Sequence, residues 1–136
     1  MIVETFSNST AGPPSASRRV WISVISSTGL TAAPTRAEAV AAFAAAIEAV
    51  KARGKAKAGD KTMLDVLIPV QAAAADGADT ATLRRVAAQA AEATVGMQAR
   101  RGRASFLGER SVGHMDPGAR SSQLMVEAVC DVLENA

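Results

Sequence analysis

The sequence predicts an all-α protein. Alanine supplies 31 of the 136 residues, aromatic residues make up only 3%, and apolar side chains recur at helical spacing between clear punctuation by Gly, Pro and Asp. All three favour helices over strands. A chain of this length is one domain or part of one, with a single core.

Residues 1–28, MIVETFSNSTAGPPSASRRVWISVISST, differ from the rest. They are rich in Ser, Thr and Pro, carry the only Trp and hold two alanines. They read as a poorly ordered segment with at most one short strand, at Val20–Ile25. Arg18-Arg19 and the apolar residues behind them resemble an export signal, but Ser23 breaks the apolar run after three residues. An export signal needs roughly 7–15 uninterrupted apolar residues. No stretch approaches transmembrane length, and Cys130 has no disulfide partner, so a cytoplasmic chain is expected, with Cys130 as a small buried apolar residue.

Helical grammar then begins. Thr35-x-x-Glu38 forms a capping box, and Val40, Phe43, Ile47 and Val50 follow at helical spacing up to Gly54. After the linker GKAKAGD (54–60), a second helix is expected over 61–75, with Leu64, Leu67, Ile68 and Gln71 on one side. Pro69 should kink it, having no N–H to give the carbonyl four residues back. Asp76-Gly77 ends it, and Asp79 or Thr80 caps a third helix carrying Leu83, Val86, Ala90, Ala93 and Met97. The many small residues on this helix allow close helix-to-helix approach. The last helix starts with Asp116 as N-cap and Pro117 as its first residue, and its expected apolar stripe is Leu124, Ala128, Val129 and Val132. Four helices with short links suggest an antiparallel bundle.

Between the third and fourth helices lies ARRGRASFLGERSVGHMDPG (99–118), with four arginines, four glycines and no regular rhythm. It reads as a structureless basic loop. Arg100, Arg101, Arg103 and Arg110 supply forked donors that suit phosphate oxygens, and Gly102, Gly108 and Gly113 let the backbone approach a ligand closely. The loop feeds into the start of the last helix, where free N–H groups and the positive end of the helix dipole also attract anions. The alternative is a solvated basic loop ahead of an ordinary Asp-Pro helix start.

In GDKTMLD (59–65), Lys61 is a second candidate for an anion, and Met63 for the face of a flat ring. The alternative there is a capped helix start, with Met63 in the core. Asp60, Asp65, Glu109 and Asp116 have no convincing metal-ligand spacing, and His114 stands alone. No catalytic triad, P-loop or Gly-x-Gly-x-x-Gly occurs. A net charge of +2 with few aromatics disfavours nucleic acid as a partner.

ARGKAKAGDKTMLDVLIPV (52–70) and MQARRGRASFLGERSVGHMDPGARSS (97–122) resemble the L subunit, the nucleotide-binding component, of dihydroxyacetone kinases. The likeness runs from about residue 29 to the C-terminus and corresponds to roughly the C-terminal half of the family's domain. It divides the chain into an unrelated segment, 1–28, and a nucleotide-binding helical part, 29–136. The resemblance implies antiparallel helices forming an incomplete version of an eight-helix barrel, with ADP or ATP held by interhelical loops at one end. The implied nucleotide contacts are Gly54, Met63 beside the base, Arg103 near the phosphates, and Asp116, Pro117 and Gly118. The implied partner is a K-type subunit that carries dihydroxyacetone, with either a phosphohistidine protein or ATP as the phosphoryl donor.

The sequence also departs from the family pattern. The family holds magnesium with an Asp-x-x-x-x-Asp-x-Asp cluster and grips phosphate with a Gly-Gly-x-Ser-Gly loop, and neither occurs here. Phosphoryl transfer depends on metal ions that neutralise charge, so the expectation is a truncated L-type chain with a partial nucleotide site, no catalytic residues of its own and little activity alone. Exposed apolar helix faces and self-association are expected with it. A non-catalytic helical protein that binds a K-type subunit is the alternative.

Overall fold

The computed structural model describes residues 34–136; the expected strand at Val20–Ile25 and the reading of 1–28 lie outside the described residues. The chain divides into two compact units, Met1–Ala46 and Ile47–Ala136, with the boundary inside helix α1 (Arg36–Gly54). In the first unit the capping box forms as expected. The Thr35 N–H donates to Glu38 Oε2 at 2.7 Å, and the Glu38 N–H donates to Thr35 Oγ1 at 3.2 Å.

The second unit is built on α2 (Leu64–Ala75), α3 (Thr80–Ala93) and α4 (Pro117–Glu134). Helix α3 packs against both α2 and α4, which also touch each other. Its buried positions are Ala87 and Ala91, facing a core that takes Leu64, Val66 and Val70 from α2 and Ala119 and Cys130 from α4. Small side chains on α3 and α4 let the backbones approach closely. All described helical segments are α or 3-10, and no strand occurs among the described residues.

Helix α2 starts at Leu64 rather than Lys61 because residues 59–63 form a turn held by Asp65. The helix runs through Pro69 without a break to Ala75. It ends in a Schellman motif: the Ala78 N–H donates to Ala73 O and the Gly77 N–H to Ala74 O, with Gly77 at φ 85°, a conformation that favours glycine. Its most buried side includes Val66 and Val70, while Leu67, Ile68 and Gln71 are only half-buried.

Asp79 caps α3 by accepting from the Thr82 N–H at 2.8 Å, and this contact with Thr82 holds the Asp79 carboxyl below the usual carboxylate range. The helix stops at Ala93, short of the expected Met97, and tightens into a 3-10 turn at Thr94–Gly96. Thr94 is fully buried. Its hydroxyl donates to Ala91 O at 2.6 Å.

The start of α4 is as expected. Asp116 is the N-cap, accepting from the Ala119 N–H at 2.8 Å, and Pro117 is the first helical residue. The expected stripe is not the buried one. Leu124, Val129 and Val132 are between 47% and 69% exposed and Ala128 is exposed as well, whereas Ala119, Ser122, Gln123 and Cys130 face inward. Apolar residues cover well over half of the helix circumference, and it is the small ones that are buried on a helix in contact with α3. Arg84 of α3 fixes the rotation of α4 by donating to Asp131, to Glu134 Oε2 at 3.0 Å and to the Glu127 carbonyl at 3.3 Å. Cys130 is buried as expected, and burial pushes its thiol up from the ordinary value.

Candidate functional site

The chemistry-bearing residues gather where the 59–63 turn, the arginine segment and the start of α4 meet. The turn is built from Asp65 upward. This carboxylate, 9% exposed, accepts from the Gly59 N–H at 2.6 Å and the Thr62 N–H at 2.8 Å, so one side chain closes the turn from both ends. Between those two donors, Lys61 is forced into the left-handed region at φ 60°. That conformation is costly for a residue with a Cβ.

The outcome for Lys61 differs from the sequence reading. Its ammonium group donates to two carbonyls, Met97 O at 3.0 Å and Ser111 O, and the residue is only 2% exposed.

The arginine segment is not structureless. It contains a 3-10 stretch over Arg103–Ser111, kinked at Gly108 where φ is 54°. Its two ends are tied into a neck. The Asp116 N–H donates to Thr94 Oγ1 at 3.0 Å, the Gly113 N–H to Val95 O at 2.8 Å, and the Ala99 N–H to Ser111 Oγ at 2.9 Å. The Arg100 N–H also donates to Asp60 O at 3.0 Å, which fastens the neck to the 59–63 turn. Periodicity could not show these ties, because each joins residues far apart in the chain through a backbone group or a small hydroxyl.

Beyond the neck, the side chains of Arg100, Arg101, Arg103 and Arg110 are exposed. Among the described residues none of these guanidinium groups has an ion-pair or hydrogen-bond partner, unlike Arg84 and Arg120. Phe106, in their midst, is 90% exposed.

Four of the six expected nucleotide contacts lie together. A Cβ added at Gly118 would sit 3.3 Å from the Met63 backbone nitrogen, 3.5 Å from Met63 Cβ and 3.1 Å from Asp116 Oδ2. Met63 is therefore seated directly on the first turn of α4, with Asp116, Pro117 and Gly118 beneath it. Gly54, at the end of α1, is exposed with open space around it. Arg103 stands on the exposed part of the loop.

The start of α4 is less available to an anion than the sequence suggests. The Ala119 N–H is taken by the Asp116 carboxylate and the Arg120 N–H by the Asp116 carbonyl, and the carboxylate already neutralises the positive end of the dipole. The exposed cationic groups near this end are the arginines of the preceding segment.

Among the described residues no group of three or more His, Cys, Asp or Glu side chains gathers as a metal site. Asp60 and Asp65 give carboxylate oxygens to backbone N–H groups, Asp60 accepting from Lys57 at 2.9 Å. No described helix is long and apolar enough to cross a membrane.

Comparison with known proteins places the same segments in one family. The family model of the DAK2 domain matches residues 22–131. The ADP-binding subunit DhaL of the PEP-dependent dihydroxyacetone kinase of Escherichia coli (strain K12) is 44% identical over 88 residues, covering 59% of this chain and 42% of that one. The ADP-binding subunit DhaL of the PTS-dependent dihydroxyacetone kinase of Lactococcus lactis is 42% identical over 93 residues, covering 65% and 45%. Human triokinase/FMN cyclase is 38% identical over 103 residues, covering 70% of this chain and 18% of that protein. The chain thus spans less than half the length of these curated relatives.

Proposed function

Since the chain belongs to the DAK2 domain family, we propose that it binds ADP or ATP as an L-type subunit of a dihydroxyacetone kinase. Its phosphoryl group would be destined for dihydroxyacetone held on a K-type subunit, and the donor would be ATP or a phosphohistidine protein. The observation that carries this reading is the seating of Met63 on Gly118 beside a loop whose four guanidinium groups are exposed and have no partner among the described residues. A thioether against the base and forked cations on the phosphates are the contacts a nucleoside diphosphate needs. In this reading Met63 lies beside the base, Gly118 keeps the approach narrow, Asp116 and Pro117 fix the first turn of α4, Gly54 borders the site and Arg103 meets the phosphates.

Calorimetric titration with ADP, with and without magnesium, tests the proposal. Saturable binding is expected, weakened in Arg103→Ala by about tenfold to a hundredfold, the equivalent of one or two charge-assisted hydrogen bonds. Absence of binding in the wild type would remove the nucleotide reading. Undiminished binding in the variant would remove Arg103 from it.

A second reading, of a helical protein that binds a partner without nucleotide, is favoured by the outer face of α4. Leu124, Met125, Val129, Val132 and Leu133 are each about half exposed or more, and contiguous apolar surface of this kind marks an interaction face. Self-association through it predicts a sedimentation coefficient that rises with protein concentration. Leu124→Glu combined with Val132→Glu should abolish that rise while leaving helix content intact; a concentration-independent monomer in the wild type would rule out self-association through this face, though not the binding of a K-type subunit there.

A further inference from the structure

We infer that Lys61 is a positioning residue that holds the arginine segment in the geometry its nucleotide contacts require. Lys61, a residue only 2% exposed, has two neutral carbonyls as the hydrogen-bond partners of its ammonium group, and its backbone is kept in the left-handed region to put it there. A lysine left in water avoids both costs. What the arrangement achieves is geometric: Met97 and Ser111 are the residues where the arginine segment leaves and rejoins the body of the protein, and one Nζ bridges them.

Ser111 contributes twice to the same junction, since its hydroxyl also accepts from the Ala99 N–H and donates to Gly108 O at 2.6 Å. Lys61 therefore acts on the neck at the point from which the 3-10 stretch bearing Arg103 departs. The turn that holds Lys61 also holds Met63, two residues on, against Gly118. A single turn, closed by Asp65, thus sets the base side of the candidate site and the phosphate side in one register. The ammonium suits this task because its three donors need no fixed plane, and carbonyl acceptors leave the arginines free.

The role in nucleotide binding rests on the reading proposed above, whereas the effect on the loop does not, and the test separates the two. Lys61→Met, Lys61→Gln and Lys61→Arg are compared with wild type in the full chain. The first readout is the rate of trypsin cleavage after Arg100, Arg101, Arg103 and Arg110 without ligand, followed by mass spectrometry. Cleavage is expected to rise by about tenfold in Lys61→Met, as the loss of two buried hydrogen bonds implies, less in Lys61→Gln, and to return towards wild type in Lys61→Arg.

The second readout is the ratio of ADP to adenosine affinity. It should fall in the same order while adenosine binding, which does not use the loop, stays constant. If Lys61→Met does not fold, the comparison of Gln with Arg decides the matter. Equal cleavage in Gln, Arg and wild type would overturn the inference. So would changed cleavage with an unchanged affinity ratio, because Lys61 would then fasten the loop without positioning it. If the wild type binds neither ligand, the nucleotide reading fails, and with it the positioning role, while the cleavage order still shows whether Lys61 holds the neck.

Discussion

Asp65→Ala is expected to destabilise the second unit by about 2–4 kcal/mol, read as a lower urea midpoint at unchanged slope. The carboxylate is almost fully buried and accepts two backbone N–H groups, from Gly59 and Thr62. Alanine leaves both donors without their partner, each costing about 1–3 kcal/mol where water cannot fully replace it. Release of the left-handed strain at Lys61, about 1–2 kcal/mol, offsets part of that loss once the grip of Asp65 on the turn is gone. Asp65→Asn is the informative companion: one amide oxygen can keep one of the two bonds, so roughly half the loss is expected. An Asp65→Ala protein as stable as wild type would show that the turn is held by something other than this carboxylate.

Gly118→Val is expected to lower ADP affinity by at least about tenfold, because it separates the residues that define the candidate site. A Cβ alone would meet the Met63 backbone nitrogen at 3.3 Å and Asp116 Oδ2 at 3.1 Å. The backbone atom cannot swing aside as a side-chain tip can. Two further methyl groups must push Met63 or the first turn of α4 outward, an overpacking cost of about 1–3 kcal/mol. Gly118→Ala is a useful contrast. Its gain in helix propensity, at most about 1 kcal/mol, opposes a contact only a few tenths of an ångström too close, so its stability should change little. Its ADP affinity should fall only slightly. Should Val bind ADP as well as Gly, Met63 and Gly118 would not form one wall of the site. Thermal melting of each variant separates loss of the site from loss of the fold.

How legible the molecule was in its sequence depended on the reach of the interactions. Helix starts at Thr35, Asp79 and Asp116 were readable because each capping contact spans only three residues. The end of α2 at Asp76-Gly77 was readable for the same reason. The buried side of α4 was not. Leu124, Val129 and Val132 outweigh Ala119, Ser122 and Cys130 on any scale of apolarity, yet the small residues are the ones that are buried. Periodicity reports where apolar residues recur; which of two apolar sides meets a neighbour is decided by the neighbour's shape.

At the site, Met63 and Asp116 both stand within 3.5 Å of a Cβ built on Gly118. The true role of Lys61 was hidden, since its partners are backbone carbonyls 36 and 50 residues away and carbonyls have no sequence signature. The one local hint was the clustering of Gly59, Asp60 and Thr62 around it, a composition typical of a tight turn rather than of a first helical turn. The arginine segment misled for a related reason. Short 3-10 stretches broken at glycine have too little length to display a period.

The neck that joins residues 94–99 to 111–116 has a consequence for how such a protein can change over generations. Both ends of the arginine segment leave the body at nearly one place, so residues between them can be exchanged, lengthened or shortened without shifting the register of α3 against α4. The segment is a cassette on a fixed socket: exposed side chains between the ties can be exchanged while Gly108, Ser111 and the helices that carry the segment keep their own sequence constraints.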